Sequence, residues 1–166
     1  MKYDYDNTCL LSVYGSPVWD IYHGTKHTEE RGYKLLSFKH VIVVCASKED
    51  PTYHIPSAPV GMKPGSAYLV CSVGGYGKGT FKPIAWMLED VVLLDTPFPL
   101  GVGEKPNQGP TPLNCTKPGH VKLLALLNGQ VGSSFSRGSI LPQSSTYKII
   151  YVVLVHTVSS TYSQVV

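Results

Sequence analysis

Between His23 and Lys48 the chain carries Lys26, Arg31, Lys34, Lys39 and Lys48 with His23, His27 and His40, against only Glu29 and Glu30. The whole sequence holds 14 Lys+Arg and 11 Asp+Glu, a formal charge of +3, so the basic excess is concentrated in this stretch. A cationic concavity attracts phosphate-bearing ligands, with an affinity that falls as salt rises; the competing reading is a solvated loop. Within the stretch, Lys26, Glu29 and Arg31 have types and spacing suited to chemistry. Lys26 is a compact cation that, desolvated beside another cation, can lose its proton and act as a general base. Glu29 can position a water or a base edge, and Arg31 can hold a phosphate with its forked donors. In a straight strand residues 26 and 29 face opposite sides, so they share a site only if the chain turns or bulges between them. The structural alternative is a salt-bridged cluster that holds this loop to the body of the protein.

Further candidates lie on either side. Glu89 precedes the apolar run Val91 to Leu94, where a carboxylate facing the same mouth as Lys26 would position a water; a solvated acid beside a strand is the alternative. Trp19 and Trp86 can stack a nucleobase or fill the core. Ser12 and Tyr14 offer polar contacts at a pocket rim, and Lys34 and Lys48 add cations along the basic face. Other chemistries lack their signatures. The run Gly74 to Thr80 is glycine-rich but has no P-loop spacing and reads as a hairpin tip. His54 and His120 have no partners at metal-ligand spacing, and no G-x-S-x-G occurs, so no metal, cofactor or serine nucleophile is expected. Cys9, Cys45, Cys71 and Cys115 stand singly and read as buried, reduced thiols.

The elements that must position these groups are short. In 166 residues, 16 glycines and 13 prolines divide the chain, and the apolar pieces are rich in Val, Ile, Leu and Tyr, which favours strands. Strands are predicted at Cys9 to Tyr14, Lys39 to Ala46, Ala67 to Val73, Asp90 to Leu94 and Tyr147 to Val158. Near-continuous runs such as His40 to Cys45 imply strands covered on both faces or a closed barrel. One helix is predicted from an N-cap at Ser16, with Pro17 at its first position and Val18, Ile21 and Tyr22 facing inward, ending at Gly24. A second is predicted from His120 to Asn128, where Asn128-Gly129 would end it; a buried strand is the alternative there. Pro97 to Gly119 holds six prolines and four glycines and reads as a long loop, and Gly132 to Thr146 is a second irregular, serine-rich stretch. The expectation is one α+β domain, a small mixed β-barrel with one or two short helices.

The motifs resemble those of a known family. Gly24-Thr25-Lys26-His27-Thr28-Glu29-Glu30-Arg31 matches the G-x-K-x-x-E-x-R signature of ASCH domains. Leu11 to Tyr14 followed by Trp19 resembles that family's first strand and helix, and Val41 to Lys48 resembles its next strand, which ends in a small-residue Ala-Ser-Lys pattern. Ala67 to Val73 resembles its central strand. Ala85 to Val91 with Pro97-Phe98-Pro99 resembles its W-x-L-E segment and the P-x-P after it. Four motifs in the family's order over Leu11 to Leu100 make the resemblance moderately specific; it does not extend past about Leu100. It implies a PUA-like barrel core over residues 1–100, followed by an insertion or loop over 101–146 and a strand and tail over 147–166.

The resemblance also implies a module that binds RNA, other single-stranded nucleic acid or a modified nucleoside, some relatives being hydrolases of acylated cytidine or of RNA. Two uses of one mouth follow: a binding module in which Lys26, Arg31 and their neighbours hold a base and its phosphate, or a small amidohydrolase or ribonuclease with Lys26 as base and Glu29 or Glu89 holding water. A third possibility is a protein partner paired with the strand Tyr147 to Val158. The acidic N-terminus lacks the apolar core of a secretory signal, and Ile149 to Val155 is too short to cross a bilayer. The expectation is a soluble, cytoplasmic protein without a membrane partner.

Overall fold

The computed structural model describes residues 2–46 and 61–133, with side chains through Gly129. The elements run β1 (Thr8–Val13), α1 (Gly15–Tyr22), β2 (Thr28–Arg31), β3 (His40–Cys45), β4 (Ser66–Lys78), β5 (Ile84–Pro99), β6 (Thr111–Pro112) and α2 (Pro118–Ser133). They form one mixed sheet in the order β2-β5-β4-β3-β1-β6. β1 and β3 pair in parallel, with Leu11 opposite Val43 and Ser12 opposite Val44; the other pairs are antiparallel. The sheet curls into a half-barrel, the α+β arrangement the sequence predicts.

The near-continuous apolar strands are explained by burial on both faces. On one face Cys9, Leu11 and Val13 of β1, Val41, Val43 and Cys45 of β3, and Leu69 and Cys71 of β4 meet Val18 and Ile21 of α1. On the other, Leu10, Ile42, Val44, Ala67, Val70 and Leu94 meet Leu123, Leu124 and Leu127 of α2. Because strand side chains alternate, each apolar pair of residues serves two cores. Fully burying one such leucine contributes about 1.5–3 kcal/mol, so α2 holds its face of the sheet through three side chains. Asn128 adds a polar clasp: its Oδ1 accepts from Tyr3 N and its Nδ2 donates to Tyr3 O, both at 2.9 Å. All four cysteines are free thiols, but Cys115 is exposed, because it lies in the turn before α2 and not in a strand. Burial pushes Cys9 and Cys71 up to about 12, which leaves them inert.

Several boundaries differ from expectation. α1 starts at Gly15, not after Ser16: Val18 N bonds to Tyr14 O at 3.0 Å, so Tyr14 is the N-cap and Pro17 sits within the first turn, where no helical N–H is required. The glycine run belongs to β4, whose hairpin tip is residues 79–83; at Gly74 the Glu89 carboxyl lies where a Cβ would be. The strand predicted over Asp90 to Leu94 is the middle of β5, which absorbs Pro97 and Pro99. β2 covers only residues 84–87 of β5, so both prolines lie where β5 is an edge and their missing N–H groups cost nothing. The long loop therefore begins at Leu100 and contains the two-residue β6. α2 runs past Asn128-Gly129 to Ser133, because Asn128 turns its side chain to Tyr3 and does not cap the helix. The strand predicted at Tyr147 to Val158 and the stretch from 134 to 146 lie outside the described residues. Among the described residues no helix is long and apolar enough to cross a membrane.

Candidate functional site

The chain leaves α1 through Gly24, whose φ of +73° is the left-handed conformation glycine adopts at little cost. Thr25 N and Lys26 N both bond to Asp20 O, at 2.9 and 3.1 Å, and fix the turn. Lys26 thus precedes β2, which begins at Thr28, and is free of the strand's alternation. That resolves the spacing obstacle: Lys26 Nζ lies 3.6 Å from Glu29 Oε2. Arg31, two residues along the strand and on the same face as Glu29, places its Nη2 2.8 Å from Glu29 Oε1. The Glu29 side chain is 10% exposed, Arg31 17% and Lys26 29%, so the carboxylate is sunk between two cations and Lys26 is the more open of them.

The cluster sits on the seam of the half-barrel. Val13 O accepts from Ala46 N on the β3 side at 2.7 Å, so Ser12 O, one residue earlier, points to the opposite, open edge of β1. Arg31 Nη2 donates to Ser12 O at 2.7 Å and bridges β2 to β1 where, among the described residues, no ladder of backbone bonds joins the two strands. Arg31 Nε is buried with no partner among the described residues. Beside this seam, at the ends of β1 and β3, is a concavity of about 730 Å3 lined by Ser12, Tyr14, Ala46, Lys105, Asn107 and Gln108 among others. Ser12 belongs to both: its carbonyl holds Arg31 and the residue lines the concavity.

The other candidates fall elsewhere. Glu89 is exposed on the far face of the sheet: Trp86 and Leu88 beside it point into the core with α1, while Glu89 lies over Gly74. It is not brought to Lys26, because strand alternation turns it outward. Trp86 is fully buried and donates its Nε1 to Tyr33 O at 2.7 Å, a core role. Trp19 is 37% exposed on α1 and packs on His23 at 4.0 Å between ring centroids. Lys34 is exposed, 5.2 Å above the Tyr76 ring, on the segment that crosses from β2 to β3. Lys48 and His54 lie outside the described residues. Among the described residues no three His, Cys, Asp or Glu side chains group as a metal site.

Sequence reasoning missed two things. Glu30, next to Glu29, points to the outer face and accepts from the backbone N–H groups of Thr80, Phe81 and Lys82 at 2.9, 2.6 and 2.9 Å. Desolvation opposes its charge, but these three bonds and Lys26 together hold the Glu30 carboxyl below its ordinary range. The wall formed by Lys105, Asn107 and Gln108 is the second, drawn from a segment whose Pro/Gly content signalled only a loop.

No family model matches the sequence and no curated protein matches it. Solved structures do. The ASCH protein of Zymomonas mobilis is similar at 16% identity over 74% of this chain and 96% of its own, with a TM-score of 0.50. A point mutant of that protein is similar at 13% identity over 75% and 99%, with a TM-score of 0.50. With the parallel β1–β3 pair, the helix between β1 and β2 and the motif at the seam, this likeness shows that the chain has an ASCH-like fold, a PUA-like α+β half-barrel.

Proposed function

We propose that the chain binds single-stranded RNA or a nucleoside at the seam, with Lys26 holding a phosphate and Arg31 and Glu29 forming the fixed polar floor beside it. The observation that carries this reading is the placement of a buried carboxylate between two cations, the more open of which is Lys26, with Arg31 bonded to the carbonyl of Ser12, a residue that also lines a concavity of about 730 Å3. Lys26 is engaged with Glu29 at 3.6 Å, and a lysine held in an ion pair suits holding an anion better than abstracting a proton. Glu29 already faces two cations and Glu89 lies on the other face, so neither carboxylate is set to position a water for Lys26. The geometry therefore favours a reader over the amidohydrolase or ribonuclease alternative.

The test is a screen of purified protein against short single-stranded RNAs and modified nucleosides, scoring bound fraction and product in parallel for wild type and Lys26→Arg. A reader binds without forming product, and Lys26→Arg keeps most of that binding because a phosphate accepts either cation. Product that appears with wild type and vanishes with Lys26→Arg, while binding persists, would instead establish Lys26 as a base, since a guanidinium does not give up its proton near neutral pH.

A further inference from the structure

The segment after β5 departs from the sequence pattern of the core, yet it is tightly tied down. The Glu104 carboxylate accepts from Gly101 N and Gly119 N, both at 2.7 Å, and Glu104 O meets His120 Nε2 at 2.7 Å. The bonds to Gly101 and Gly119 hold the Glu104 carboxyl below its ordinary range. His120 is fully buried, and its Nδ1 accepts from Asn114 N at 3.0 Å. Farther along, Asn107 N donates to Thr111 Oγ1 at 3.2 Å. Between these anchors Lys105, Pro106, Asn107 and Gln108 form a strap along the concavity at the ends of β1 and β3.

The polar side chains of the strap, Lys105, Asn107 and Gln108, are exposed along the concavity. Lys105 lies so closely over Gly65 that a Cβ there would overlap its end, and Gly65 has the left-handed φ of +75° that suits glycine. Lys105 makes no ion pair, and the side-chain amides of Asn107 and Gln108 make no hydrogen bond, among the described residues. Among the described residues no acidic side chain lines the concavity, and Glu104, next to Lys105 in the chain, is taken up by backbone N–H groups. An ammonium, two amides that each offer donors and an acceptor, and Tyr14 across from an apolar floor of Val44 and Ala46 suit an anionic ligand with a flat, hydrogen-bonding edge. The volume lies within the range of about 300–1,000 Å3 common for small-molecule sites.

We infer that the strap Lys105 to Gln108 is the specificity wall of a nucleotide pocket, Lys105 taking the phosphate of the nucleotide seated there, apart from the strand phosphate that Lys26 holds, and Asn107 and Gln108 reading the edge of the base, with the nucleotide either free or part of a single strand. This rests on the nucleic-acid reading above but assigns to the strap what that reading leaves open. The strap's backbone is held before binding, so ordering it costs little, and a base edge that matches the amides replaces their water where a mismatched one does not.

The test is calorimetric titration of the full chain with the four ribonucleoside 5′-monophosphates, the four nucleosides and a short single-stranded RNA. Wild type, Lys105→Ala, Lys105→Arg, Asn107→Ala, Gln108→Ala and Lys26→Ala are compared, with melting temperature as the fold control. Wild type is expected to favour monophosphates over nucleosides by about tenfold, the scale of one charge-assisted hydrogen bond. Lys105→Ala should erase that preference and Lys105→Arg restore it. Asn107→Ala or Gln108→Ala should narrow the spread among bases and keep the phosphate preference. If only the RNA binds, and the amide variants change which bases it prefers, the pocket takes its nucleotide from a strand. Strap variants that leave both preferences unchanged, while Lys26→Ala weakens binding, would overturn this inference and spare the binding function. A wild type that binds none of the probes would overturn both.

Discussion

Glu29 and Glu30 are neighbours of the same type on one four-residue strand, and they do opposite work. Glu29 faces inward, sunk between Lys26 and Arg31 on the seam where β2 meets the open edge of β1. Glu30 faces outward and clasps the β4–β5 hairpin tip through three backbone N–H groups. Strand alternation alone makes this division. The inner carboxylate is paired with two cations, and the outer one is held chiefly by backbone dipoles, with Lys26 acting on it only at a distance. The contrast separates the groups of the site from those of the scaffold that holds β2 in register with β5.

The largest effect is expected at the inner residue. Glu29→Ala leaves Arg31 and Lys26 without their anion and should cost about 3 kcal/mol, near the low end for a broken buried ion pair because both cations keep some exposure. Urea unfolding measures it, and Glu29→Gln, which still accepts from Arg31, should recover part of the loss. A Glu29→Ala protein as stable as wild type would show that the seam is not held by this cluster.

Glu30→Ala should cost less, about 1 kcal/mol, because two of its three bonds are exposed and water replaces the carboxylate there. This difference is pH-dependent. The folded Glu30 carboxyl sits below its ordinary 4.5, so its contribution is complete above that value and is lost as pH falls through the lowered one. Wild type and Glu30→Ala should therefore converge in acid, as followed by thermal melts across that range. RNA affinity should stay at the wild-type level in Glu30→Ala.

The smallest effect is the coupling between the two. Lys26 pairs with Glu29 and also acts electrostatically on Glu30, and it is the one residue both carboxylates share among their described interactions. A double-mutant cycle should give a coupling of no more than about 0.5 kcal/mol. A larger value would mean that seam and hairpin tip act as one unit.

Much of this was legible in the sequence. The runs in β1, β3 and β4 announced strands covered on both faces, and Val18 and Ile21 placed α1 correctly on its core. The K-x-x-E-x-R spacing found the seam cluster, although a straight-strand reading made its geometry look awkward; Gly24 and the Asp20 carbonyl, which end α1, are what place Lys26 outside the strand. β2 was not legible, because Thr-Glu-Glu-Arg has no apolar periodicity and is a strand only through its pairing with β5. The end of β4 was hidden by its run of glycines, which read as a turn, and the end of β5 by prolines tolerated on an edge. Glu89 is different: Trp86 and Leu88 are both apolar and two apart, so alternation from them already turned Glu89 to the other face. The strap left no periodic signal, since its order comes from Glu104 and His120 reaching across the chain.

The central claim is that the seam holds a phosphate through Lys26. The most direct measurement is the affinity of wild type and Lys26→Ala for one labelled single-stranded RNA as a function of salt. The account predicts that log affinity falls against log salt with a slope on the order of −2 to −4 in wild type, for about three to five phosphate contacts, and that Lys26→Ala binds more weakly with a slope shallower by about 0.7. Equal affinities and equal slopes in the two proteins, or a wild-type affinity that does not change with salt, would contradict it.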